Sequence, residues 1–190
     1  YINCCIRDKD SRTLKIATPI IDFLKNREDV KVSEINLFEL DLVPYNKKEY
    51  LKKASGYIDP LYIEYSKMIA GSDGLIIAAP FWDMSFPAQL KTFLEGVSLF
   101  EIMFVSDNEK CNGLAKCPFM ALITTRGMNI PVGHHLEQGT PYLKALSWLW
   151  GIKDFYCIDA YNFDYISQDK IEEKIKEASK QGIELLNEII

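Results

Sequence analysis

The stretch Gly74–Leu99, GLIIAAPFWDMSFPAQLKTFLEGVSL, constrains this chain more than any other. Its apolar run from Leu75 to Ala79 has the length and bulk of a strand buried on both faces, and it stops at Pro80. Phe81, Trp82, Asp83, Met84 and Ser85 then form a short aromatic and polar loop. Pro87 stands in the first turn of a helix, where proline has no intrahelical N–H bond to lose. Leu90, Phe93, Leu94 and Val97 fall on one face of that helix. Strand, loop and helix in that order place the loop at the carboxyl edge of a sheet, where open α/β folds bind ligands.

The same alternation recurs along the chain. Tyr1–Ile6 reads as a buried parallel strand. Because Tyr1 falls within it, residues ahead of Tyr1 are expected. A polar loop, Arg7–Thr13, leads into a helix running to about Asn26, with Leu14, Ala17, Ile20, Ile21 and Leu24 on its inner face. Pro19 lies inside that helix, where it costs about 3 kcal/mol or forces a kink, so Thr18 is a candidate cap for a later start. Val30–Leu37 alternates and reads as a strand nearer the sheet edge. Asp41–Tyr57 is polar, Lys-rich and carries Pro44, and reads as a loop or irregular segment. Asp59-Pro60 is a helix start; the helix to Ala70 is expected to bury Leu61, Tyr65, Met68 and Ile69.

Phe100–Val105 and the polar excursion Ser106–Gly113 suggest an inserted strand or hairpin around residues 100–117. Phe119–Thr124 is a further buried strand, and Met128–Gly139 a long loop. Pro141–Trp150 reads as a helix carrying Leu143, Leu146, Trp148 and Leu149. Phe155–Ala160 is the last strand. Gln168–Ile190 is a closing helix, with Ile171, Ile175, Ala178, Ile183, Leu186 and Ile189 inward.

Five core strands alternating with helices in 190 residues predict one α/β domain spanning residues 1–190, a three-layer sandwich around a five-stranded parallel sheet. The expected order is 2-1-3-4-5, with the first crossover reversing between strands 1 and 3. That reversal brings together three loops: Arg7–Thr13, Phe81–Ser85 and Thr125–Gly127.

Composition narrows the function. A net charge of −5 with no Lys or Arg block argues against a nucleic-acid partner. No apolar run approaches the roughly 20 residues that cross a bilayer, so no membrane partner is expected. Five cysteines, two of them adjacent in an apolar strand, make poor disulfide material and fit a reducing cytoplasm. Cys111 and Cys117 have no Cys-x-x-Cys to join them, and no metal is expected. There is no G-x-G-x-x-G after the first strand and no G-x-x-x-x-G-K, which disfavours a dinucleotide fold and P-loop chemistry.

The three loops suit a flat ring bearing a phosphate. Ser11 and Thr13 offer hydroxyls, a helix N-terminus offers backbone N–H groups, and Arg7 or Arg12 offers charge. Read locally, Ser11 and Thr13 serve equally well as helix caps, and Asp8 and Asp10 would repel a phosphate they faced. Phe81 and Trp82 can pack along a ring. Backbone N–H groups at Thr125–Gly127 can bond its heteroatoms, with Gly127 allowing close approach. His134 and His135 can border the ring as proton donors or substrate guides, or be ordinary exposed loop residues.

The run Pro80-Phe81-Trp82-Asp83-Met84-Ser85-Phe86-Pro87-Ala88-Gln89-Leu90-Lys91 resembles a signature of the flavodoxin-like FMN-dependent NADH-azoreductases and NAD(P)H:quinone oxidoreductases. In that family a proline and three or four flavin-contacting residues precede Pro-x-Gln-Leu-Lys. Leu122-Ile123-Thr124-Thr125-Arg126-Gly127 is similar to its hydroxyl–hydroxyl–Arg–Gly signature. Pro141-Tyr142-Leu143 and Trp150-Gly151-Ile152 match in place and type.

The resemblance implies tightly bound FMN, held by Arg7, Ser11, Arg12, Thr13, Pro80, Phe81, Trp82, Asp83, Met84, Thr124, Thr125, Arg126 and Gly127. It implies NADH or NADPH as electron donor, flat quinone, azo or nitro acceptors, and ping-pong turnover in which the flavin carries the chemistry. It also implies a homodimer, with Phe86, Phe100, Met103, Phe104, Trp148 and Trp150 as interface or pocket candidates. This chain departs from the family in three places. Asp83 stands where Asn is usual, Met128 stands where a second glycine is common, and charges enter a phosphate loop that is elsewhere rich in hydroxyls and Gln. Two other functions suit the same fold: an electron carrier or flavin reductase, and a flavin-free binding protein.

Overall fold

The computed structural model describes residues 1–107 and 109–190. Five parallel strands form the central sheet: β1 (Ile2–Asn3), β2 (Ile35–Asn36), β3 (Leu75–Ala78), β6 (Phe119–Thr125) and β7 (Asp154–Ala160). Their spatial order is β2-β1-β3-β6-β7, which is 2-1-3-4-5 in the chain order of the sheet strands. The other two strands, β4 (Phe104–Ser106) and β5 (Cys111–Gly113), make a separate antiparallel hairpin. Both the topology and the insertion agree with the sequence reading.

Alternation along the buried strands distributes side chains between two cores. Ile77, Ala79, Met120 and Leu122 face one side, with Leu90, Phe93, Leu94 and Val97 of α4 (Ala88–Val97) and Leu143, Leu146 and Trp150 of α5 (Gly139–Trp150). Ile69 of α3 (Pro60–Ala70) completes that layer. Ile76, Ala78, Ala121 and Ile123 face the other side, against α1 (Arg12–Lys25) and α6 (Gln168–Ile189). Phe93 is fully buried, and truncating such a ring to alanine costs about 3–5 kcal/mol.

The hairpin is locked to the domain by backbone. Ala115 N–H donates to Trp150 O at 3.0 Å and Lys116 N–H to Ala70 O at 2.7 Å. Gly113 lies directly against the left-handed Gly151 that ends α5: a Cβ on Gly113 would fall 2.0 Å from Gly151 N. The Gly-Ile pair at the end of this helix therefore serves packing as well as termination.

Several local expectations are corrected. Residues 41–57 contain a helix, α2 (Lys47–Ala54), capped by Asn46, whose side chain accepts from Lys48 and Glu49 N–H. It buries no residue, so it leaves no apolar periodicity to read. α1 is continuous through Pro19; Pro19 and Lys15, whose carbonyl loses its helix partner, are both exposed. Thr18 does not cap a later helix, since its hydroxyl donates back to Leu14 O at 2.9 Å. Only Ile35 and Asn36 of the expected second strand enter the ladder. Within residues 100–105, only Phe104 and Val105 join the hairpin, after a turn at Glu101 (φ 67°). Met68 is exposed, and Trp148 projects with 70% of its surface free, whereas Trp150 and Met103 are wholly buried. Trp150 and Met103 are thus core, and the Trp150 indole N–H is spent on Ser98 Oγ at 3.0 Å.

Candidate active site

At the carboxyl edge the chain leaves β1 through Cys4 and Cys5, makes a short 3₁₀ turn at Asp8–Asp10 and enters α1 at Ser11. Ser11 Oγ accepts the Leu14 N–H at 3.2 Å, an N-cap bond. The N–H groups of Arg12 and Thr13 have no partner among the described residues and stand free at the positive end of a 14-residue helix. Arg7, in the same loop, is exposed. Arg12 is drawn sideways: its guanidinium lies 5.2 Å over the Phe163 ring and 3.5 Å from Asp164 Oδ1.

Thr13 faces inward. Its hydroxyl is fully buried and shares a 2.6 Å hydrogen bond with Thr125 Oγ1, tying α1 to the end of β6. Thr124, also buried, points to the opposite face of the sheet. The adjacent hydroxyls therefore serve different layers.

The loop after β3 is a tight turn. Trp82 N–H donates to Ser85 O at 3.0 Å and Ser85 N–H to Trp82 O at 2.8 Å. The two residues between them have positive φ, 47° at Asp83 and 67° at Met84, the pattern of a type I′ turn. Asp tolerates that region; an unbranched Met held there stores roughly 1 kcal/mol or more, and such strain clusters at ligand sites. The turn leaves Trp82 and Met84 exposed, while Phe81 lies beneath them, buried. Phe81 N–H donates to Thr125 O at 3.0 Å, fastening the turn to the end of β6, and Pro80 precedes it half-buried.

Arg126 and Gly127 complete the edge. The Arg126 N–H is spent on Ala160 O at 3.0 Å, while the Gly127 N–H has no backbone partner among the described residues. Gly127 is tight against Asp164, whose carboxylate would lie 1.9 Å from a Cβ there. Its missing side chain is therefore needed for Asp164, a residue far away in sequence. The Arg126 side chain turns into the protein rather than toward the edge. It is wholly buried, donates from Nη1 to Ile130 O at 2.8 Å, and lies 5.1 Å over the Phe81 ring.

The long loop from Met128 is held at both ends. Asn162 N–H donates to Met128 O at 3.0 Å, and Gln138 N–H to Met84 O at 2.9 Å, joining it to the strained turn. His134 and His135 stack at 4.4 Å between ring centroids, and His134 Nδ1 accepts the Leu136 N–H at 3.2 Å. Sequence reasoning missed Glu137, Gln138, Asp159 and Asp164. Asp159 carried the clearest signal, as a carboxylate within the otherwise apolar end of the last strand.

Two thiols border this region without the character of nucleophiles. Burial pushes Cys5 up to about 11. Burial, followed by the charge of Asp159, pushes Cys157 up to about 12. Among the described residues no three His, Cys, Asp or Glu side chains gather as metal ligands. A cavity of about 560 Å³ lies elsewhere, lined by Tyr1, Val30, Val32, Gly74 and Phe119. It is at the amino edge of the strands, away from the converging loops and from where parallel sheets bind ligands.

The arrangement fits a phosphorylated flat ring: free helix N–H groups and an exposed arginine in the same loop, then exposed apolar side chains, then a free backbone donor. A family model described as "Flavodoxin-like fold" matches residues 1–184, and the chain belongs to that family. The chain is 30% identical over 192 residues to the FMN-dependent NADH:quinone oxidoreductase of Clostridium perfringens strain SM101, covering 97% of this chain and 96% of that protein. It is 24% identical over 185 residues to a protein of the same name from Coprothermobacter proteolyticus, covering 94% and 92%. Among solved structures, an azoreductase from Bacillus anthracis Sterne superposes with a TM-score of 0.83 at 17% identity, covering 98% of this chain and 97% of that one. The FMN complex of an FMN-dependent NADH-azoreductase from Bacillus anthracis Ames Ancestor gives 0.82 at 18% identity, covering 97% and 96%.

Proposed function

We propose that this protein is an FMN-dependent oxidoreductase that takes two electrons from NADH or NADPH and delivers them to quinones, and to azo or nitro compounds of similar flat shape. The observation that carries the reading is the meeting of three loops at one sheet edge, each with unspent binding groups suited to a different part of FMN. The relatives named as FMN-dependent NADH:quinone oxidoreductases, matched along nearly the whole chain, support the same reading.

In this account the Arg12 and Thr13 N–H groups and the Arg7 guanidinium hold the phosphate. Phe81, Trp82, Asp83 and Met84 border the ring, and the Gly127 N–H donates to a ring heteroatom. Bound FMN supplies hydride acceptance and two-electron donation. The exposed Trp82 and Met84 side chains offer flat apolar contact to nicotinamide and acceptor in turn. With one face to share, the donor leaves before the acceptor enters, which is ping-pong turnover. His134 Nδ1 is spent on the Leu136 N–H, which leaves its Nε2–H as the donor it can offer a substrate. Of the interface candidates, Phe100 and Trp148 remain exposed and suit a homodimer contact.

Purified protein is expected to carry FMN that is released on denaturation. Initial rates against NADH and benzoquinone are expected to give parallel double-reciprocal lines. Intersecting lines would refute the alternation, and protein that takes up no FMN would refute the function.

A further inference from the structure

Among the described residues, Arg126 and Glu137 are the charged side chains that the fold buries almost completely, at 2% exposure each. Arg126 lies over the Phe81 ring, and Glu137 stands at the far end of the loop that Arg126 holds at Ile130. Asp159 Oδ2 is 3.7 Å from Arg126 Nη2, and the charges of Asp159, Arg126 and Glu137 all act on the Cys157 thiol. Burying charge is unfavourable unless it is paired. The three are one guanidinium and two carboxylates, and they are incompletely bonded. Arg126 Nε and Nη2, Asp159 Oδ2, Glu137 Oε2 and Thr140 Oγ1 have no hydrogen-bond partner among the described residues. A core built only for stability would replace such a set by apolar groups.

What the guanidinium touches suggests why it is kept. Its central carbon lies 5.1 Å over the Phe81 ring centroid, and its Nη1 holds Ile130 O at 2.8 Å. Phe81 begins the turn that presents Trp82 and Met84, and Ile130 belongs to the loop whose far end bonds Met84 O through Gln138. Glu137 fixes that far end from within, since its Oε1 accepts the Thr140 N–H at 2.8 Å in the first turn of α5.

We propose that Arg126 is a positioning residue: a buried planar cation that couples the Phe81–Ser85 turn to the 128–138 loop, with Asp159 and Glu137 as its counter-charges. It does not touch the ligand. It sets the separation of the two loops between which the ligand enters. Lysine cannot replace it, because an ammonium lacks the planar fork that supports a ring and holds a carbonyl in different directions. The flavin part of this inference rests on the function proposed above; the loop coupling does not.

The test compares wild type, Arg126→Lys, Arg126→Met and Arg126→Met/Glu137→Gln. Amide exchange over 128–138 is read in flavin-free protein, and FMN affinity, visible circular dichroism of bound FMN and thermal unfolding are read alongside. Both single variants are expected to exchange at least tenfold faster over 128–138, to bind FMN at least tenfold more weakly and to change the flavin dichroism. Arg126→Met also strands two carboxylates, so its Tm falls; Glu137→Gln is expected to recover part of that loss, Asp159 remaining unpaired, without recovering loop protection or flavin affinity. Arg126→Lys keeps the charge and provides a folded variant should Arg126→Met fail to fold. Exchange and affinity within twofold of wild type in the lysine variant would overturn the proposal. So would full recovery of both in the double variant, which would reduce Arg126 to charge balance. Should wild type bind no FMN, the proposed function fails, and the exchange measurement still decides the coupling.

Discussion

The buried hydroxyl pair Thr13–Thr125 provides a quantitative test of how the phosphate loop is attached to the sheet. The two oxygens are 2.6 Å apart, Thr13 is 0% exposed and Thr125 6%. Replacing one threonine by valine keeps the shape but leaves the other hydroxyl buried and unsatisfied, at a cost of about 1–3 kcal/mol. Replacing both removes donor and acceptor together and is expected to cost less than about 1 kcal/mol. The coupling energy in the double-mutant cycle, the sum of the two single costs less that of the double, is therefore at least about 1 kcal/mol, as for directly contacting residues. Urea unfolding of flavin-free Thr13→Val, Thr125→Val and the double variant measures it, provided the slope with denaturant is unchanged. Single-variant costs that simply add in the double would refute the pairing. FMN affinity separates roles further. Because the Thr13 hydroxyl is engaged with Thr125, the two single variants are expected to change affinity equally. A loss confined to Thr13→Val would show that its hydroxyl holds the phosphate.

Four other outcomes follow from the geometry. Gly113→Ala drives a Cβ to 2.0 Å from Gly151 N; with backbone on both sides it is expected to cost about 2 kcal/mol or more, read as a lowered Tm. Gly127→Ala first meets the half-exposed Asp164 side chain, so Asp164→Ala is expected to restore most of the stability it loses; failure of that rescue would mean that other neighbours or the backbone itself cannot accept the methyl. Met84→Gly relieves a positive φ and is expected to leave stability within about 1 kcal/mol of wild type, whereas β-branched Met84→Val lowers it and both weaken FMN binding. The folded pKa values of Cys5, about 11, and Cys4, about 12, are raised by burial above the ordinary thiol value of 9.0. Their stabilisation is complete below pH 9 and is lost as pH rises through 11 and 12; a Tm flat across that range would contradict it.

The fold was legible because its signals are local and repeated. Leu75–Ala79 and Phe119–Thr124 are buried runs, Phe155–Ala160 is a strand in which only Ile158 and Ala160 are buried, and Asp59-Pro60 marks a helix start that the structure places where expected. α2 was illegible because it is stabilised by the Asn46 cap and a Lys52–Glu49 ion pair rather than by a buried face. The site was legible as three loops but not as individual side-chain directions. Thr13 and Arg126 have the chemistry of ligand contacts, yet tertiary packing turns both inward, toward Thr125 and toward Ile130. Nor could Gly127 be assigned to its neighbour, since Asp164 reaches it through another strand.

The central claim, that the converging loops hold a flavin which NADH reduces and a quinone reoxidises, is tested most directly by an anaerobic titration. Protein reconstituted with FMN is expected to lose its yellow colour on adding one equivalent of NADH and to recover it on adding one equivalent of benzoquinone. Protein that binds FMN but is bleached only by a reduced partner protein would mark an electron carrier. Protein that stays colourless after reconstitution would contradict the account.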